Sequence, residues 1–379
     1  MMSSLAPEAR LPTGVALSRE ERAAWVAIAA YPGIGPRHFL RLLAHFGSAA
    51  EVRQAGPEGW RAEGLVNAGV PCLPRAVWAD GETLLRRAEG LGLAVVLLGE
   101  PDYPALLAGS PCPPVVLYQR GRLLPADDPA VAVVGTRRAS AYGLWTAERL
   151  GGELAGEGFT VVSGLARGID SAAHRGALAA GGRTIAVLGC GLDRVYPREN
   201  GPLAERIAGQ GALLSEFPPG TLPLPENFLR RNRIIAWLSR ATVVVEGGAQ
   251  SGASNTATHA ADAGRDVFAV PGDVGRPGSV LPNRLLREGA KLLERGSQVT
   301  EELGHLRLQL PALERPGGPG PHLDDPHDRL LWDALRQGPG DAEELAVRCG
   351  LPVGTVSARL VAWELEGWLK AYPDGRLGR

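Results

Sequence analysis

The stretch "AVAVVGTRRAS", residues 130–140, runs an unbroken apolar segment into a glycine and then a pair of arginines. A short, continuously apolar run of this kind fits a strand covered on both faces. The layout recurs in "FTVVSG" (159–164), "TIAVLGCG" (184–191), "ALLSE" (212–216), "ATVVVEGG" (241–248) and "DVFAVPG" (266–272). Between these runs lie segments long enough for helices. In "YGLWTAERLGGELAGEG" (142–158), Ala147, Leu150 and Leu154 share one face. Strands alternating with helices predict an α/β fold: a doubly wound, mostly parallel, Rossmann-like sheet. Upstream, "LAVVLLG" (93–99) and "PPVVLY" (113–118) read as two further strands.

Outward from this block the pattern changes twice. Residues 18–78 read as helical, with Phe39, Leu42, Leu43 and Phe46 at i, i+3, i+4 and i+7. Just before them "YPGIGPRHF" (31–39) supplies a Gly-x-Gly hairpin. It either offers backbone N–H groups to a DNA phosphate or simply turns the chain tightly between two helices. "LERPGGPGPHLDDP" (313–326) is rich in Pro and Gly without periodicity and reads as a linker. Beyond it, three helices and a hairpin at "KAYPDGR" (370–376) make a winged-helix layout, with Val353, Val356, Leu360 and Trp363 as the buried stripe of the third helix. The expected organisation is a flexible 1–17, a helical domain 18–78, an extended sheet domain 79–308, a linker 309–325 and a winged helix 326–379.

Composition restricts the function classes. Hydrophobic residues make up 45% of the 379 and charged residues 21%, so the chain can bury a core. The formal net charge is −1, so any surface that attracts a polyanion must be local. Cys72, Cys112, Cys190 and Cys349 lack CxxC spacing, which speaks against a disulfide framework or zinc site and suits a reducing compartment. The first residues lack a signal-peptide layout, and no apolar run reaches the ~18 residues of a membrane helix. The expectation is a cytoplasmic protein without a membrane. His174 and His259 have no nucleophile or carboxylate arranged for catalysis; Asp170 and His174, four apart, read as a packed pair on one helix face. His322 and His327 lack further ligand partners, and neither a metal site nor a catalytic triad is expected.

In a doubly wound sheet, ligands bind beyond the C-terminal ends of the strands, where helix N-termini also point. The residues there are Gly135, Ser163, Gly164, Gly168, Gly247, Gly248, Ser251 and Gly252, with Arg137, Arg138 and Arg167 beside them. Small residues let backbone approach an anion. Lys291 and Lys370 lie in no GxxxxGK[ST] motif, and Gly189 and Gly191 are followed by Arg194 where GxGxxG needs its third glycine. A mandatory ATP or NAD cofactor is therefore not expected. In "NFLRRNRIIAWLS" (227–239) a helix beginning after Phe228 would place Arg230, Arg231 and Arg233 at its positive end, a costly arrangement unless an anion lies opposite. Arg231 falls on the line of Ile234, Ile235 and Leu238 and should reach over the strand ends. Phe228 beside these arginines suits single-stranded nucleic acid, with bases on the ring and phosphates on the guanidiniums. The competing structural reading makes Phe228 a hydrophobic staple and pairs Arg231 or Arg233 with Glu246.

"VAVVGTRRASAYG", "VVSGLARGIDSAAHRGAL", "TIAVLGCGLDRVYPREN", "NFLRRNRIIAWLS" and "GRDVFAVPG…REGAKLL" together resemble the DNA-processing protein A (DprA, or Smf) family. The likeness is dense over 130–293 and looser on the flanks, which resemble that family's SAM-like helical domain and winged helix. It implies a cytoplasmic, dimeric, non-enzymatic protein that binds and protects incoming single-stranded DNA. Such a protein loads the recombinase RecA in natural transformation, working around single-strand-binding protein. Carried over by motif, the DNA contacts fall on Arg137, Ser163, Gly164, Arg167, Phe228, Arg231 and Arg233. Ser251 and Gly252 follow as weaker candidates, and Arg138, Gly168, Asn227 and Arg230 stand in the same surface. Departures from the family pattern are Arg167 for a usual Lys, Leu229 for Pro, "SGASNT" for SGSLIT, and "VLPNRLL" where a Gly-Cys pair is usual. The rival from another class is a nucleoside monophosphate N-glycosidase of the lysine-decarboxylase-like fold. Its glycine loop is similar to "EGGAQSGASNT", but a catalytic glutamate should follow, and Ala257, Thr258 and His259 stand there instead. In the winged helix, acidic residues outnumber basic ones, which favours a protein contact over duplex reading.

Overall fold

The computed structural model describes residues 17–307, 325–336, 338, 340–365, 369–371 and 377–378. The expected flexible N-terminus and the linker fall almost wholly outside the described residues. Contacts divide the chain into two compact units, Met1–Gln309 and Leu310–Arg379.

The first unit opens with α1 (Arg19–Ala29), α2 (Pro36–Phe46), α3 (Ala49–Ala62) and α4 (Gly81–Gly90). Local chemistry sets their ends. Ser18, Ser48 and Asp80 each accept a hydrogen bond from a first-turn backbone N–H, and Pro36 starts α2 where no N–H is needed. Aromatic rings fill the space between them, with Trp25 4.8 Å from Phe39 and Tyr31 5.2 Å from Trp60. This cluster runs without a break into the sheet, so the helical segment and the sheet share one hydrophobic core rather than two.

The sheet region contains β1 (Ala94–Leu97), α5 (Ala105–Ala108), β2 (Val116–Gly121), β3 (Ala130–Val134), α6 (Ala141–Gly156), β4 (Thr160–Ser163) and α7 (Ile169–Ala179). It continues with β5 (Thr184–Val187), α8 (Gly201–Gln210), β6 (Ala212–Ser215), α9 (Pro225–Trp237), β7 (Ala241–Val244) and α10 (Gly252–Asp262). It ends with β8 (Asp266–Ala269), α11 (Val280–Arg287), β9 (Lys291–Leu292) and α12 (Ser297–Arg307). Nine strands pair in the order β1-β2-β6-β5-β4-β3-β7-β8-β9. From β6 to β9 every pairing is parallel, whereas β1 and β2 join antiparallel at one edge. Both faces are covered, as continuous apolar strands require. Val131 and Val133 turn to a core shared with α6, α7 and α12, while Ala130, Ala132 and Val134 turn to the core under α8, α9 and α10. The chain moves outward from β3 through β4, β5 and β6, then returns to β3's other side at β7. That reversal puts the switch point, and a crevice, at the C-terminal ends of β3 and β7.

One sequence expectation changes here, and one gains its partners. Helix α9 begins at Pro225, not after Phe228, because proline suits the first helical position. Arg230, Arg231 and Arg233 therefore lie beyond the first turn, where the dipole has largely decayed. Asp170 and His174 share α7, but no bond joins them: Asp170 reaches the Gly164 N–H, and His174 Nδ1 meets Thr184 Oγ1 at 2.7 Å.

In the second unit, α13 (Pro326–Arg336), α14 (Ala342–Cys349) and α15 (Val353–Leu365) precede the antiparallel pair β10 (Lys370–Ala371) and β11 (Leu377–Gly378). Trp332 and Trp363 meet edge-on at 5.3 Å among Leu331, Leu345, Val356 and Leu360. Val353, expected in the buried stripe, is 45% exposed, since it begins the helix outside that core. Arg359 on α15 is engaged by Asp328 at 3.0 Å and Asp325 at 3.1 Å.

Candidate nucleic-acid interface

At the switch point lies an open cavity of about 710 Å³. Its walls come from three places. The β3–α6 loop gives Gly135, Thr136, Arg137 and Arg138; α9 gives Phe228, Leu229, Arg231 and Asn232; the N-terminal end of α10 gives Gly248, Gln250, Ser251 and Gly252. Ala166 and Asp170, following β4, and Tyr196, following β5, complete it.

The floor is a buried guanidinium. Arg231 is 3% exposed; its Nη1 donates to Gly164 O at 2.7 Å and to Val187 O, and its Nε donates to Asn232 Oδ1 at 3.2 Å. Among the described residues Nη2 has no acceptor. A side chain at position 164 could not coexist with this arrangement, since a Cβ there would lie 2.5 Å from Arg231 Nη1 and Nη2. Asp170 closes the network by accepting the Gly164 N–H at 3.1 Å. Burial lowers the Arg231 pKa to about 10, which leaves the group cationic at neutral pH. Burial raises that of Asp170, with the Arg231 charge opposing the rise.

Above the floor stands Phe228, half-buried. The Arg137 guanidinium lies 5.0 Å from its ring centroid and that of Arg231 5.8 Å. The Tyr196 ring is 5.5 Å away and tilted by 43°. An aromatic face is thus flanked by two guanidiniums and a second ring, in a cavity whose opposite wall is the start of α10. That combination stacks a planar base and holds an anion beside it.

Six of the expected DNA contacts meet in this cavity, Arg137, Arg138, Phe228, Arg231, Ser251 and Gly252, together with the strand-end glycines Gly135 and Gly248. Others sit elsewhere for identifiable reasons. Ser163 is fully buried, its hydroxyl donating to Val133 O at 2.6 Å, and Gly164 is covered by Arg231. Asn227 is buried and holds Leu222 O at 3.2 Å. Arg233 is drawn off by Glu216 and by Cys112 O at 2.8 Å; Arg230 lies over the Phe217 ring at 5.2 Å. Gly168 starts α7 at φ 78, and Arg167 pairs with Glu199, exposed and outside the lining. Among the wall residues that sequence reading missed, Asn232 and Tyr196 carry the most chemistry. Both stood in view, Asn232 inside "RRNRII" and Tyr196 in "GLDRVYP" at a strand end.

The model of the DNA recombination-mediator protein A family matches residues 94–304. The chain belongs to that family. Residues 19–80 match its DprA-like N-terminal HHH domain and residues 314–375 its DprA winged helix domain. Protein Smf of Synechocystis is 33% identical over 402 aligned positions, which cover 96% of this chain and all of that protein. The crystal structure of DNA processing protein A from Streptococcus pneumoniae is 34% identical, covers 75% of this chain and 98% of that one, and superposes with a TM-score of 0.61. The Helicobacter pylori protein, solved for its single-stranded DNA binding mode, is 30% identical over 56% of this chain and 96% of its own, with a TM-score of 0.51.

Against this family background the other acidic group near the crevice has a structural role. Glu246 accepts the Ser140 N–H at 2.9 Å and the Ser140 hydroxyl at 2.5 Å, which ties the start of α6 to the end of β7. It pairs with neither Arg231 nor Arg233. Among the described residues no three His, Cys, Asp or Glu side chains gather as metal ligands, and no single helix is long and apolar enough to cross a membrane.

Proposed function

We propose that the crevice binds single-stranded DNA and that the protein works by binding rather than by bond-making chemistry. One observation carries the reading: the Phe228 ring has the guanidiniums of Arg137 and Arg231 at 5.0 and 5.8 Å from its centroid, at the topological switch point of the sheet. A polyanion with free bases satisfies both parts of that arrangement, whereas a paired duplex offers phosphates but hides its bases. The described binding mode of the Helicobacter pylori relative supports the same ligand. Two acids at the crevice are engaged, Glu246 by Ser140 and Asp170 by Gly164, which weighs against the N-glycosidase alternative.

On this reading the chain acts in the cytoplasm as a homodimer. It covers an incoming single strand and passes it to RecA in natural transformation or homologous recombination, where single-strand-binding protein competes for the strand. Arg137, Arg138, Phe228 and Arg231 carry the contact, with Ser251 and Gly252 lining the opposite wall. Ser163, Gly164 and Asn227 hold the floor and walls in place, and Arg230 and Arg233 act on the strand only at longer range.

Fluorescence anisotropy with single- and double-stranded oligonucleotides across a salt series tests the binding. The expected result is tighter binding of the single strand, with log K falling linearly with log salt. Equal affinity for the two, or no salt dependence, overturns the reading.

A further inference from the structure

Two large aromatic side chains on α6 are not used by the crevice. Tyr142 and Trp145, three residues apart, are 49% and 59% exposed, with ring centroids 6.3 Å apart and planes inclined by 36°. The Arg149 guanidinium lies 5.0 Å from the Trp145 ring and is fixed there by Glu153 at 2.6 Å and by Glu294 O at 2.7 Å. The fold does not need these rings, because α6 meets the sheet through Ala147, Leu150 and Leu154. A single exposed aromatic is ordinary; two rings side by side, one backed by a guanidinium, form a stacking surface.

Position selects the occupant. Helix α6 follows directly on the loop that carries Arg137 and Arg138 in the crevice lining, so it starts beside the crevice at the C-terminal end of β3. Carboxylates on this helix are already paired, Glu148 with Arg175 at 3.7 Å and Glu153 with Arg149. A polyanion with unpaired bases therefore meets cations first and then aromatic faces. We propose that a DNA single strand leaving the crevice past Arg138 runs over the start of α6, where Tyr142 and Trp145 stack its bases. The proposal rests on the crevice being the single-strand site. It adds a second platform that lengthens the occupied stretch.

Length dependence tests it with the full chain. For an oligo(dT) of about six nucleotides, enough to fill the crevice, Trp145→Ala and the Tyr142→Ala/Trp145→Ala pair bind as the unmodified protein does. For about thirty nucleotides Trp145→Ala binds roughly 5- to 150-fold more weakly, the fold-change of losing one stacked base, and the double variant roughly thirtyfold more weakly or beyond, while Trp145→Phe keeps its affinity. Undiminished affinity of the double variant for the long oligonucleotide overturns the proposal. So does a change in sedimentation mass with DNA affinity intact, which would assign this face to a second copy of the chain. Phe228→Ala separates the two levels. If it weakens both lengths while Trp145→Ala weakens neither, only the added platform fails; if it weakens neither length, the crevice reading fails as well.

Discussion

Arg231 and Arg137 flank the same ring but answer differently to mutation. Removing Arg231 leaves Gly164 O and Val187 O without their donor inside the protein, at ~1–3 kcal/mol for each unpaired group, so Arg231→Ala should lower Tm as well as binding. Arg137 is exposed and forms no ion pair among the described residues. Arg137→Ala should leave Tm unchanged in a thermal melt and weaken single-strand binding. If it neutralises one phosphate, the slope of log K against log salt should become shallower by ~0.7. An unaltered slope removes Arg137 from the phosphate contacts. His174 gives a second test at this scale. Its Nδ1 faces Thr184 Oγ1, whose own proton goes to Val161 O, so the imidazole donates from Nδ1 and leaves Nε2 bare and unpaired in the core. Burial, with Arg231 and Arg175 nearby, lowers its pKa to about 3. The unfolded chain takes up this proton below ~6.5 and the folded chain does not until about 3, so stability is full above that window and falls as pH drops through it, by up to ~1.4 kcal/mol per unit. Asp170, with its pKa raised, contributes in the opposite sense. Comparing His174→Gln with the unmodified protein isolates the histidine: the variant's Tm should change less between pH 6.5 and 4. Equal slopes would show that His174 does not titrate on unfolding.

Elements were legible where periodicity and punctuation agreed, and less so where backbone chemistry decided the boundary. Runs such as "AVAVVG" and "ATVVVEGG" name β3 and β7 because nothing but a covered strand accommodates them. The start of α9 is less legible, because Pro225, the residue that opens the helix, reads equally well as loop. The destinations of Arg230 and Arg233 were hidden for another reason. Glu216 lies at the end of β6, and only the strand order brings it beneath α9. The crossing of α6 and α7 was equally invisible. Gly176 lies so close to α6 that a Cβ would sit 1.9 Å from Glu148 O, and at Gly151 one would sit 2.4 Å from Ala173 O. In an isolated helix, Gly→Ala gains about 1 kcal/mol. Here the contact is backbone and cannot swing away, so an overpacking cost of about 3 kcal/mol or more should prevail. Gly176→Ala should therefore unfold at lower denaturant concentration than the unmodified protein; a higher midpoint would mean the two helices separate at little cost.

At the scale of the whole molecule, a chain with net charge −1 binds a polyanion only if its cations are unevenly placed. They are. Arg137, Arg138 and Arg231 converge in the crevice, while several guanidiniums elsewhere are held by carboxylates, as in Arg183 with Asp127 and Arg240 with Asp128. Among its described residues the second unit offers no comparable concentration. Arg359, on the helix that would enter a groove in a winged helix that reads duplex DNA, is engaged by Asp325 and Asp328. Every crevice residue lies within Met1–Gln309, and each unit has its own hydrophobic core. A chain ending at Gln309 should therefore fold and bind a single-stranded oligonucleotide within about twofold of the full protein, the tolerance of independent parts. Duplex affinity should be equally unaffected. Anisotropy on both proteins at one salt concentration decides the matter. A large loss of single-strand affinity on truncation would place part of the binding surface in the second unit, and a loss confined to duplex would show that the winged helix reads DNA despite its paired arginine.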